Sequence, residues 1–145
     1  VHPNLINVVP AKATLTLDIR NTDNAELLRA EEEVSQFLKE VAEREGVSIT
    51  TKTLARFDPV QFDDRVISIV HETAELLGNT VQRMPSGAGH DAQMLARVCP
   101  SGMIFVPSVK GISHNPAEHT DAADLQAGAD ILLHTMVSLT TASFS

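Results

Sequence analysis

Residues 13–20 alternate without a break: Ala13, Leu15, Leu17 and Ile19 share one parity, and Thr14, Thr16, Asp18 and Arg20 share the other. A period of two sends successive side chains to opposite faces of an extended chain, so this segment reads as a strand with one buried face. Such a strand needs both a neighbour to pair with and a layer to cover it, and that requirement constrains the rest of the chain. Asn21-Thr22-Asp23-Asn24 follows with turn and N-cap chemistry. Leu27, Val34, Leu38 and Val41 then recur at helical spacing until Gly46 stops the helix. Residues 47–54, rich in Thr, Ile and Val, form a second predicted strand. The first part of the chain is thus predicted to be a β-α-β unit ending near Phe57.

Asp58-Pro59 breaks that rhythm, and a different order begins. Residues 63–77 carry Val66, Ile67, Val70, Ala74 and Leu77 on one side of a predicted helix, with Gly78 as its stop. Residues 80–83 read as a short strand. The small-residue loop Pro85-Ser86-Gly87-Ala88-Gly89 then leads into a helix from His90 to about Val98. Met103-Ile104-Phe105-Val106 is an apolar run expected to be a strand buried on both faces. A polar loop over 107–120 precedes a long last helix, capped by Asp121 and carrying Leu125, Ala129, Leu132, Leu133, Met136 and Leu139. The alternation of helices and strands implies an α/β layered sheet. Two short strands in either half are too few for a stable sheet, so both halves read as pieces completed by other chain. The first residue is Val rather than Met, which adds to the expectation that preceding sequence belongs to the protein.

Composition narrows the function classes. The 145-residue chain carries 19 acidic and 11 basic residues, a formal charge of −8, and has no Trp or Tyr. A phosphate backbone would be repelled and single-stranded bases would find no stacking platform, so nucleic acid is not the expected partner. No apolar run is long enough to span a bilayer, and Val1-His2-Pro3-Asn4 has neither the basic start nor the apolar stretch of a secretory leader. Cys99 is the single cysteine, and between Val98 and Pro100 it reads as a small buried hydrophobe. A lone cysteine forms no internal disulfide, which fits a cytoplasmic location.

Three segments hold residues suited to chemistry. In the first, Arg20 ends the polar face of the leading strand, where a guanidinium can grip a carboxylate at two points. A plainer reading pairs Arg20 with Asp18 or Asp23, and Asn7 upstream reads more simply as a turn former. In the second, Ser86-Gly87-Ala88-Gly89-His90-Asp91-Ala92, glycines let backbone approach a ligand and a helix start offers free N–H groups. The plainer reading is a tight turn capped by Asp91. In the third, Gly111-Ile112-Ser113-His114-Asn115-Pro116-Ala117-Glu118-His119-Thr120, His114 could give a neutral imidazole to a metal, with Glu118 or Ser113 in support. His119 reads as exposed or supporting, while His71 and His134, inside helices and without acidic or Cys partners at ligand spacing, read as structural.

Taken in order, Pro3-Asn4, Asn7-Val8-Val9-Pro10, Asp18-Ile19-Arg20, Gly87-Ala88-Gly89-His90-Asp91-Ala92 and Gly111-Ile112-Ser113-His114-Asn115-Pro116-Ala117-Glu118 resemble one family. It comprises the N-carbamoyl-L-amino acid hydrolases, allantoate amidohydrolases and β-ureidopropionases of the M20 metallopeptidase-like superfamily. The resemblance covers essentially the whole chain. It implies that residues 1–57 are the C-terminal half of an α+β lid and dimerisation domain, and that 58–145 are the C-terminal segment of a catalytic α/β domain. It further implies a homodimer formed through the lid and a small carbamoyl or ureido carboxylate as substrate. Two divalent metal ions (zinc, manganese, cobalt or nickel) would hold a bridging water that a glutamate base activates. Residue by residue, it makes His114 the one metal ligand supplied here. Asn7, Arg20 and Gly89 become the grip on the substrate carboxylate, and His90 is placed in the same motif. The remaining ligands and the glutamate base have no counterpart in this chain, so the resemblance implies a part that is inactive alone. Two alternatives from other classes are a stand-alone module that dimerises through an exposed strand edge, and a small-molecule-binding α/β module without catalysis.

Overall fold

A computed structural model describes residues 1–141. Its backbone divides into two compact units, Val1–Pro59 and Val60–Ser145.

The first unit is built on one helix, α1 (Asn24–Glu45). Its start is the predicted one: the Asp23 carboxylate accepts from the backbone N–H groups of Ala25 and Glu26, two of the donors a helix leaves unpaired at its first turn. Its end is also as predicted. Gly46 takes the left-handed conformation, φ 63°, and its N–H closes onto the Ala42 carbonyl. Leu27 is buried, and Val34, Leu38 and Val41 continue its stripe half-buried. Arg56 ties the following extended segment back to this helix. Its Nε donates to Glu31 at 3.0 Å, and its other nitrogens reach Asp58 and Asn24. Those bonds, the Asp58 one foremost, raise the guanidinium's pKa above its ordinary value.

The second unit is centred on α2 (Asp64–Leu76) packed on α4 (Ala122–Thr141), with a single-turn α3 (Ala92–Leu95) and a 3₁₀ turn at Val109–Gly111 between them. Asp63 caps α2 by accepting from the Arg65 and Val66 N–H groups, and Gly78 beyond its end has φ 79°. Val66, Thr73 and Ala74 of α2 and Ile131 and Thr135 of α4 are buried. The extended run after Gly102 lies against both helices. A Cβ on Gly102 would meet Val66 Cγ1 at 2.9 Å, and one on Gly128 would meet Val106 Cγ1 at 2.5 Å. Both glycines therefore permit close approach rather than a special φ.

Three expectations are corrected. The strands predicted over 13–20, 47–54, 80–83 and 103–106 are extended but unpaired: among the described residues the single β-pairing is an isolated antiparallel bridge, His2 to Lys12. The α/β sheet is therefore not present among the described residues. An extended segment becomes a strand only when its N–H and C=O groups meet a ladder partner, and among the described residues these segments have none. The alternating residues accordingly stay in solvent, Leu15 at 90% and Leu17 at 68% exposure. The helix predicted from His90 to about Val98 shrinks to one turn at Ala92–Leu95. On α4, Leu125, Leu132, Leu133 and Met136 are exposed, while Ile131 and Thr135 are buried and Gly128 faces Val106. Finally, Cys99 is exposed rather than buried, on the surface segment after α3.

Candidate functional site

Asn7 and Arg20 belong to the first unit. The His2–Lys12 bridge, with backbone bonds of 2.7 and 3.0 Å, closes a loop whose exposed tip carries Asn7. Arg20 ends the extended run with its fork already engaged: Nε donates to Asp18 Oδ1 at 2.9 Å and Nη2 to Oδ2 at 2.6 Å. Alternate residues on one parity face the same way, which is why Asp18 and Arg20 meet. The hydrogen bond from Arg20 holds the Asp18 carboxyl below the ordinary aspartate range, and the same bond raises the Arg20 guanidinium. The pairing is the plainer one named from sequence, and it displays the two-point carboxylate geometry that a substrate carboxylate would also use.

Gly89, His90 and His114 belong to the second unit. A Cβ built on Gly87 or Gly89 meets nothing within 4 Å, so the backbone of this loop lies open on that side. His90 is fixed from three directions. Its Nε2 lies 2.7 Å from Ser86 Oγ, its backbone N–H donates to Gln93 Oε1 at 3.1 Å, and its ring meets Phe105 edge-on with centroids 5.5 Å apart. The Gln93 N–H returns a bond to the His90 carbonyl at 3.0 Å, a reciprocal pairing that opens the α3 turn. This occupies the helix start that sequence reasoning left to Asp91, whose side chain caps nothing. Ser86 and Gln93 are thus the two residues whose roles that reasoning missed. A Ser followed by Gly-Ala-Gly-His and a His-x-x-Gln spacing were the available signals.

His114 stands exposed in the 107–120 loop with φ 55°, and its N–H donates to Glu118 Oε2 at 2.8 Å. Asn115 turns the chain by accepting the Ala117 N–H at 2.9 Å. The loop is closed at its base, where the Val109 N–H donates to the His119 carbonyl at 2.8 Å. Glu118 therefore supports His114 through the backbone, and the His119 imidazole sits 3.5 Å from Asp121. His71 does have an acidic neighbour one turn on, Glu75 at 3.4 Å, which corrects its expected isolation. Among the described residues no group of three or more His, Cys, Asp or Glu side chains is placed to hold a metal ion. These residues do not make a metal site by themselves; His114 offers a single imidazole donor.

The sequence profile of the peptidase family M20/M25/M40 matches residues 5–138. The chain belongs to that family. Among curated relatives of this M20 chain, an N-carbamoyl-L-amino-acid amidohydrolase of Rhizobium meliloti is 40% identical over 135 residues, covering 93% of the chain and 32% of the relative. The allantoate amidohydrolase of Escherichia coli is 38% identical, covering 90% of the chain and 32% of the relative. A solved hydantoinase/carbamoylase-family amidase from Burkholderia vietnamiensis is 35% identical with a TM-score of 0.73, covering 81% of the M20 chain and 28% of that protein. The chain spans about a third of the length of the curated relatives it matches. No helix among the described residues is long and apolar enough to cross a membrane.

Proposed function

We propose that this M20 chain is part of a metal-dependent amidohydrolase that cleaves the carbamoyl or ureido C–N bond of N-carbamoyl-L-amino acids or allantoate. The observation that carries the reading is identity of 38–40% over nine-tenths of the chain to relatives named for those two activities. In this reading Asn7 and Arg20 of the first unit, and Gly89 and His90 of the second, are substrate-binding residues. The open backbone at Gly89 and the two-point carboxylate bond already made by Arg20 support these roles. His114 gives its imidazole to one of two divalent ions, which would polarise the amide and supply the attacking water. The other donors would come from outside this chain. The unit Val1–Pro59 would serve as half of a lid through which two subunits dimerise, and the whole protein would work in the cytoplasm. The exposed apolar residues of both units, Leu15, Leu17, Leu132 and Met136 among them, are consistent with surfaces that other chain covers. A self-contained module pairing through a strand edge is less favoured, since the described residues include no strand to offer one.

The test uses the longer protein that this reading requires. Hydrolysis of N-carbamoyl-L-amino acids or allantoate should require a divalent ion. His114→Ala should lower metal occupancy and rate at least tenfold, the scale set by loss of an inner ligand or its support. Normal metal content and rate in that variant would remove His114 from the site.

A further inference from the structure

We infer that Ser86 is a positioning residue that fixes the tautomer of His90, leaving the imidazole proton on Nδ1 and making that nitrogen a hydrogen-bond donor. The geometry is local to the loop. Ser86 Oγ lies 2.7 Å from His90 Nε2, and the same oxygen accepts the Ala88 N–H at 3.3 Å. A hydroxyl has one proton to give and two lone pairs to receive with. With the Ala88 amide on one lone pair, the hydroxyl proton still needs an acceptor, and among the described residues the one acceptor within reach is Nε2. Were Nε2 protonated instead, Ser86 Oγ would accept twice and its own proton, in a half-buried loop, would have no protein partner. The first arrangement leaves one group, the Nδ1 N–H, without a partner among the described residues, whereas the second leaves two, the serine hydroxyl proton and the Nδ1 lone pair.

Nothing else in the loop is free to reverse that choice. The His90 backbone N–H is taken by Gln93 Oε1, so it does not compete for the ring or for the serine. The ring plane is set by its edge-on contact with Phe105, 65° between planes, and the 2.7 Å contact with Ser86 Oγ places Nε2 on the serine's side of that plane. Free histidine prefers a mixture of tautomers, and which ring nitrogen carries the proton follows from the bond made by the other. A neutral His90 held this way cannot serve as a base through Nδ1. It offers an N–H, suited to a carboxylate or to an oxygen that gains negative charge. This deepens the reading of His90 as a substrate-facing group and rests on that reading for its purpose, but the tautomer itself is a property of the ligand-free chain.

The experiment is a long-range ¹H–¹⁵N spectrum of the full chain, labelled in its histidine rings, at a pH of about 8 where imidazole is neutral. The His90 signals are assigned by their loss in His90→Gln. In wild type, Nε2 should resonate as an unprotonated nitrogen and Nδ1 as a protonated one. Ser86→Thr, which keeps the hydroxyl, should preserve that pattern, whereas Ser86→Ala should collapse it to the averaged shifts of a tautomer mixture. A protonated Nε2 in wild type overturns the inference, as does an unchanged pattern in Ser86→Ala. Should Ser86→Ala disturb the amide fingerprint, the wild-type and Ser86→Thr spectra still decide. Adding an N-carbamoyl amino acid to the longer protein in a second arm separates the two readings: a fixed tautomer with no ligand-induced shift at His90 there would retire the substrate role alone.

Discussion

The Arg20 guanidinium spends both prongs of its fork on Asp18, so a substrate carboxylate would have to replace or join that partner. The geometry makes Arg20→Lys the informative change in the longer protein. Lysine keeps the charge but cannot donate two parallel bonds, and kcat/KM should fall on the order of tenfold to a hundredfold for carboxylate substrates. The loss should shrink for analogues in which that carboxylate is an amide. Equal losses for both substrate classes would show that Arg20 does not hold that carboxylate. Sequence alone named both fates of Arg20, since alternation puts residues 18 and 20 on one face whatever the pair is for. The Ser-Gly-Ala-Gly-His spacing put Ser86 within reach of His90, but no period shows that the glycine-rich turn folds back over four residues to bring them together. Glu118 was legible as support for His114, but its bond goes to the backbone N–H, where it holds a left-handed residue in place.

Helices were the most legible elements, because their signals are local. Asp23 and Asp63 as caps and Gly46 and Gly78 as stops each act within one turn of chain, and α1 and α2 begin and end where those residues put them. Strands were not, since pairing depends on where distant segments meet, which no local period encodes. Two outcomes belong to this scale. Gly128→Ala would ordinarily gain about 1 kcal/mol in a helix interior. Here the new Cβ would lie 2.5 Å from a branched Val106 methyl, so the variant should instead lose about 1–3 kcal/mol of second-unit stability by thermal or urea unfolding. A raised midpoint would mean the 102–106 segment does not lie against α4. The second outcome concerns pH. Arg65, by its side-chain hydrogen bond, and then the backbone N–H groups of Val66 and Arg65 hold the Asp63 carboxyl below the ordinary aspartate range, against desolvation. A folded-state pKa lowered in this way adds stability that is complete above the unfolded aspartate's pKa and is lost as pH falls through the folded value. Asp63→Asn keeps the cap but not the charge, so its melting temperature should trail that of wild type at neutral pH and converge with it in strong acid. A gap that stays constant through that window would place the origin of the stability elsewhere.

At the scale of the whole molecule, the most telling feature is how little apolar surface the chain hides. Leu27 is the buried hydrophobe of the first unit, and Val66, Ala74 and Ile131 are those of the second, while Ile6, Val9, Leu15 and Leu54 stand in solvent. A domain stable by itself rarely leaves such residues in contiguous stretches uncovered. The alternating extended segment over 13–20 and the exposed apolar side of α4 are both intelligible as surfaces suited to further layers. No group of three potential metal ligands forms among the described residues, and the chain spans about a third of its relatives' length. An apparent zinc affinity of structural-site strength needs several deprotonated donors at once, so a single histidine should bind the ion weakly. We therefore expect the 145-residue chain, purified free of host amidases, to hydrolyse neither N-carbamoyl-L-amino acids nor allantoate, even with added zinc, manganese, cobalt or nickel. Colorimetric detection of released ammonia would measure this, with the Escherichia coli allantoate amidohydrolase as the positive control. Turnover by the chain that a chelator abolishes would show that it assembles a metal centre by itself, and the division of labour proposed for His114 would fall with it.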